Sequence, residues 1–258
     1  MFATGKRPTR AAIREFADGH RSLAISHDPS GDRSLHLVPA DGSDHAQAPV
    51  GQDAIEEAVW LELIKDGLTF EIEGLAPGTA SQVPDVKHRF DVEDLSNPRR
   101  LEGVYLLPSQ HIGNSEGIMP VLRSLVEIAR DAVHSFEHLE AVLWEPAQSL
   151  IGRRFFESTA TAWIDGGAFP ALGLTAFRET GDGALESVGL KHWTGQELRI
   201  EPPISDDKVA ATRLGVRLIN HLVITGGLTQ SERITAPDNT RLVLKPSQNA
   251  KFVRVWRE

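Results

Sequence analysis

Apolar residues along the chain fall into short runs with either helical or alternating spacing, separated by turn formers, and no single period is kept for long. The clearest helical run is 118–136. There Leu122, Leu125, Val126, Ala129, Ala132, Val133 and Phe136 recur at intervals of three and four, while Arg123, Glu127, Arg130, His134 and Glu137 take the other side. A second helix is predicted over Gln52–Asp66. Asp53 and Glu56 resemble a capping box, Ile55, Val59 and Leu63 share a face with Trp60 and Ile64 beside them, and Gly67 follows as a stop. A third is predicted from about Pro146 to Ile164, ending at Gly166-Gly167. A fourth starts with Ser205 as its cap, carries Asp206 and Asp207 where the helix dipole favours anions, and stops at Gly226-Gly227.

Strands are predicted where the period is two or where a short apolar run stands between turn formers. Ser22–Ser26 and Ser34–Val38 flank Asp28-Pro29-Ser30-Gly31-Asp32 and read as a hairpin. Leu68–Glu73 alternates, Leu101–Leu107 and Leu139–Trp144 are short apolar runs, and Ala171–Arg178 and Ala184–Leu190 are joined by Gly181-Asp182-Gly183. Gln196–Glu201, Arg241–Lys245 and Lys251–Arg257 complete the set. This order argues for an α+β fold, with helices packed on a mostly antiparallel sheet in two layers and a smaller N-terminal α/β part. The boundaries expected are a hairpin-helix-strand subdomain at 1–74, a linker at 75–100 rich in Pro and Gly with one short strand near Phe90, and a main domain at 101–258.

Composition narrows the chemistry. The 258 residues contain no cysteine, which removes disulfides, thiolate metal sites and cysteine nucleophiles and suits a reducing compartment. The net charge of -9 is local: residues 53–94 hold 11 acids against 3 bases, and the rest of the chain is nearly neutral. Such a chain has no electrostatic footprint for a phosphate backbone, so nucleic acid is not an expected partner. The longest stretch free of Asp, Glu, Lys and Arg is the 14 residues Leu218–Ser231, shorter than the roughly 18 to 20 that span a bilayer. With no apolar run behind its basic first residues, the chain reads as soluble and cytoplasmic, without membrane attachment. No phosphate-cradling glycine motif is present, and no cofactor is expected.

Two short motifs invite a catalytic reading. Gly113-Asn114-Ser115-Glu116-Gly117 matches the serine-hydrolase elbow, but Pro108–Ile112 separates it from the preceding strand, so Ser115 reads as a loop residue ahead of Pro120. His134-Ser135-Phe136-Glu137-His138 matches an inverted zinc-protease motif, which needs one unbroken helix through both histidines. Because His138 stands directly before a predicted strand, His134 and His138 are weak metal candidates only. The remaining candidates for acid–base or ligand chemistry are His192, Glu197 and Glu145, with His138. Glu197, Arg199 and Glu201 share one strand face, either as a small-ligand site beside His192 and Trp193 or as a solvated face with cross-strand ion pairs.

The segments Glu140–Trp144, Leu185–Leu190 and Gly195–Ile200, followed by a helix and a closing strand pair, resemble the bacterial family called domain of unknown function 4261 over residues 134–256. The sequence Asp238-Asn239-Thr240 departs from the acidic-glycine turn more usual there. The resemblance implies an α+β domain and brings no activity or catalytic residues with it. Two functions are therefore expected as alternatives. One is a non-catalytic interaction or accessory domain with a protein partner or a homodimer. The other is a hydrolase or small-ligand protein using a His/Glu site.

Overall fold

The computed structural model describes residues 1–29, 59–93, 95, 100–112, 117–236 and 238–258. Its helices and mostly antiparallel sheets make an α+β fold. None of the helices among these residues is long and apolar enough to cross a membrane. The chain divides into a smaller compact unit, residues 2–83 with 99–113, and a larger one, Met1 with 84–98 and 114–258. The expected boundaries at 74/75 and 100/101 differ from this division. The first part of the linker belongs to the smaller unit, and the second part adds a strand to the larger.

The smaller unit holds β1 (Phe2–Ala3), α1 (Arg10–Asp18), β2 (Leu23–His27), β3 (Trp60–Lys65) and β4 (Leu68–Glu73). Two later strands, β6 (Leu101–Glu102) and β7 (Tyr105–Pro108), complete it. β2-β3-β4-β7 form an antiparallel sheet in that order, and β1 pairs with β6. Helix α1 is capped by Thr9, whose Oγ1 accepts from the Ala12 amide at 3.2 Å. It buries Ile13, Phe16 and Ala17, while Leu61 and Leu63 of β3 oppose Ile72 and Phe70 of β4 as the sheet's buried row. The helix predicted over Gln52–Asp66 is corrected here. From Trp60 onward the chain is β3, and the positions before Val59 lie outside the described residues.

The physical reason is the turn. Asp66 and Gly67 both have positive φ, at 52° and 82°, and make a two-residue hairpin loop joining Lys65 to Leu68. Gly67 is thus a hairpin glycine and not a helix stop. The basic N-terminal residues contain α1 and a nearly buried Arg7. The Arg7 guanidinium donates to Glu102 Oε2 at 2.9 Å, Gly74 O at 2.6 Å and Gly78 O at 2.8 Å. Of the predicted hairpin at 22–38, the first strand is present as β2, and the second lies outside the described residues.

The larger unit contains β5 (His88–Phe90), α2 (Met119–Ser135), β8 (Ala141–Trp144), β9 (Ser149–Gly152) and α3 (Arg153–Ile164). A kinked turn α4 (Ala171–Leu174), β10 (Ala176–Glu179), β11 (Leu185–Val188), α5 (Lys191–Thr194) and β12 (Glu197–Ile200) follow. The chain closes with α6 (Lys208–Thr225), β13 (Glu232–Thr235), β14 (Arg241–Pro246) and β15 (Phe252–Arg257). A three-stranded sheet runs β5-β9-β8, and a six-stranded sheet runs β10-β11-β12-β15-β14-β13, antiparallel except for β12 with β15.

Helix α6 lies on the buried row of the six-stranded sheet, with Gly215 against the Phe177 ring and near Ile200. Its cap is Asp207, accepting from the amides of Val209 and Ala210 at 3.0 Å each. Ser205 is therefore not the cap; its Oγ donates to Gly183 O. The helix predicted from Pro146 begins only at Arg153, because Gln148 turns the chain with φ 50° and 149–152 pairs with β8. Ala171–Leu174, predicted as strand, is the kinked turn, and β13 was not foreseen.

Candidate functional site

Glu197 opens β12 directly after the loop that ends β11, so its side chain sits against that loop's amides. Its Oε1 accepts from Gly189 N at 2.9 Å and Lys191 N at 3.2 Å, and its Oε2 accepts from Leu190 N at 3.2 Å and from the Ser187 hydroxyl. Three consecutive amides converging on one carboxylate make an anion nest supplied from within the chain. Burial pushes the Glu197 carboxyl up from its ordinary value, against the opposing pull of Ser187 and the three amides. Gly189 makes the loop possible: its φ is 90°, and a Cβ there would stand 2.9 Å from the Ala147 backbone.

His192 lies in α5, within the same β11–β12 connection. It stands edge-on to Trp144, with centroids 5.6 Å apart, at the rim of an aromatic cluster in which Trp193 stacks on Trp144 and meets Phe169 and Trp163 edge-on. The Nε1 groups of Trp144 and Trp193 are buried without an acceptor. Glu145 is exposed at the start of a 3-10 turn, where its carbonyl accepts from Gln148 N. Helix α2 ends at Ser135, so His138 lies beyond it and is exposed, and the helical frame a zinc motif needs is interrupted. His134 Nδ1 lies 2.9 Å from Glu157 Oε1 of α3. Glu197, at the start of β12, and His192, in α5, thus lie five residues apart around the β11–β12 connection, while His134 pairs with Glu157. Among the described residues, no group of three or more His, Asp or Glu is placed to hold a metal.

The strand face carrying Arg199 and Glu201 is a cross-strand ion network. Arg199 NH1 donates to Glu186 Oε1 at 2.5 Å and its Nε to Glu201 Oε1 at 2.9 Å, and a further guanidinium nitrogen meets Asp182. Arg178 adds a 2.9 Å contact to Glu186, and Arg254 a 2.5 Å contact to Glu201. The register explains this pattern, since Arg178 opposes Glu186, Glu186 opposes Arg199, and Arg199 opposes Arg254. Burial alone lowers the affinity of Arg199 for its proton, but the surrounding carboxylates more than reverse it and hold the guanidinium charged. Arg178 and Glu186 stand four residues to either side of Asp182 in the turn that joins β10 to β11.

A second cluster lies in the smaller unit, and sequence reasoning missed it. The register slips between Ile25 and His27 in β2, so His27 pairs with Glu62 of β3, and Ser26 at the bulge donates through Oγ to Glu62 Oε1 at 2.7 Å. His111, in the 3-10 turn Gln110–Ile112 after β7, puts Nε2 2.6 Å from Glu62 Oε2. Burial raises the Glu62 carboxyl, yet the hydrogen bonds to Ser26 and His111, helped by the Ser109 hydroxyl nearby, outweigh it and hold the group below its ordinary value. Reading 52–66 as a helix put Glu62 on a polar helix face and hid its cross-strand neighbours.

No family model, curated protein or solved structure matches the chain.

Proposed function

We propose that the chain is a cytoplasmic accessory domain that works by binding a protein partner and not by catalysis. One observation carries this reading: the half-buried Glu197 carboxylate receives the Ser187 hydroxyl and the amides 189–191, so both of its oxygens serve the loop. A general base needs a lone pair directed at substrate or water. The proposed kinship to domain of unknown function 4261 is compatible with this reading and adds no chemistry to it. The test is turnover of chromogenic ester and phosphomonoester substrates by the wild type and by E197Q, H192A and H111A. We expect no turnover that depends on these residues, and a lower melting temperature for E197Q. Turnover abolished by any of the three substitutions overturns the proposal.

A second reading, general-base chemistry, is favoured by one feature of the smaller unit. Glu62 holds His111 through Nε2, and the imidazole remains two-thirds exposed. That arrangement fixes the tautomer and leaves Nδ1 as the reactive nitrogen. Ser26 donates to Glu62 and not to His111, so the nucleophile in this reading is water. Loss of activity in H111A with retention in E197Q distinguishes it.

A further inference from the structure

We infer that the charged face of the six-stranded sheet is the docking surface, and that its occupant is an acidic segment of a partner protein carrying one or two apolar side chains. The inference rests on the accessory-domain reading and names the surface and partner chemistry. Strand alternation puts Leu198, Ile200, Val253 and Val255 on the buried row and sends Arg178, Glu186, Arg199 and Arg254 to the other side. On that side the signs are separated by depth. The side chains of Glu186 and Glu201 are 7% and 8% exposed, whereas those of Arg178 and Arg254 are 63% and 42% exposed.

Lys245, opposite Arg254 in the β14–β15 register, is exposed as well. Apart from Asp182 at the turn, the network covers its anions, and of its cations it presents Arg178 and Arg254 while Arg199 lies beneath them, on a chain whose net charge is -9. Such a local inversion is complementary to an acidic partner and steers its approach. Arg254 lies over the Trp256 ring at 4.9 Å, and half-buried Trp256 and Val243 are paired neighbours across β14 and β15. They provide an apolar seat beside the cations, the combination of aromatic and arginine that anchors interfaces. Asp182, exposed at the β10–β11 turn, limits the positive area on one side. From β10 to β14 the face spans four inter-strand gaps of about 4.8 Å each, so an extended segment of roughly six residues crosses it.

The experiment uses the full chain and a fluorescein-labelled peptide of about eight residues, made of Glu and Asp with two Leu, titrated by anisotropy at about 0.15 M salt. The comparison ligands are a lysine peptide of equal length and a single-stranded oligonucleotide of equal charge. K245E and W256A are each expected to weaken acidic-peptide binding about tenfold, equivalent to about 1.4 kcal/mol. R213E, the same charge reversal on α6, is expected to leave it within about twofold. Arg213 is exposed on the helix that covers the opposite row, so R213E reports non-specific charge. Absence of peptide binding, equal loss in R213E and K245E, or oligonucleotide binding as tight as the peptide's overturns the docking surface. Those results leave the accessory-domain reading standing if turnover is also absent, whereas turnover lost in E197Q or H111A removes that reading whatever the peptide does.

Discussion

Glu62 and Glu197 are both carboxylates held among hydrogen-bond donors, but their environments move them in opposite directions. Glu62 is below its ordinary value in the folded state, so its contribution to stability is present above the unfolded carboxyl value of about 4.3 and is lost as pH falls toward the folded one. Replacing Glu62 with Gln is expected to cost about 1–3 kcal/mol at neutral pH, with the gap to wild type closing below about pH 4. Urea denaturation of both proteins across that range measures it, and a gap independent of pH contradicts the assignment. Glu197 is raised, so the fold disfavours its ionised form relative to the unfolded chain, and stability from this group declines as pH rises through the folded value. Removing the side chain still leaves three amides without their acceptor, and E197A is expected to lose about 2–4 kcal/mol. A melting temperature unchanged in E197A shows that water satisfies those amides equally well.

At the scale of elements, the loop between β11 and β12 depends on Gly189 in a way that Gly166, also at positive φ, does not share. A Cβ at Gly166 meets no atom within 4 Å, whereas one at Gly189 meets the Ala147 backbone. G166A is therefore expected to cost only the left-handed strain of about 1–2 kcal/mol, and G189A a further 1–3 kcal/mol or so from the clash. Thermal unfolding of the pair checks this, and equal losses refute the close approach. The same elements show what the sequence made legible. Helix α2 was readable because its apolar stripe repeats over several turns and nothing in it mimics another period. The pair β10 and β11 was readable from glycines flanking a turn aspartate. β3 was not, since Leu61, Leu63 and Ile64 suit a helix nearly as well as a strand, and only the positive φ at Asp66 and Gly67 decides between them. The Glu62 and His111 contact was hidden for the same reason, its partners being 49 positions apart and joined only by sheet pairing.

For the whole molecule, the interleaving of its two units matters more than their number. The smaller unit takes β6 and β7 from beyond residue 99, and the larger takes β5 from before it. Truncation along the expected boundaries therefore removes β6 and β7 from the smaller unit and β5 from the larger. Fragments 1–74 and 101–258 are expected to show poorly dispersed amide spectra and low melting cooperativity, and a well-dispersed spectrum from either fragment alone contradicts the division. Charge at this scale also has a measurable sign: acidic-peptide binding should weaken as salt rises, although the protein itself is acidic. The parallel pairing of β5 with β9 aligns His88 with Ser149, 61 positions further along the chain. At about 5–20 residues per second of synthesis, β5 leaves the ribosome roughly 3–12 s before its partner strand exists. During that interval its ladder groups have no native mate, so the nascent chain offers a time-limited site where a chaperone, or a neighbouring nascent chain on the same messenger, competes with folding.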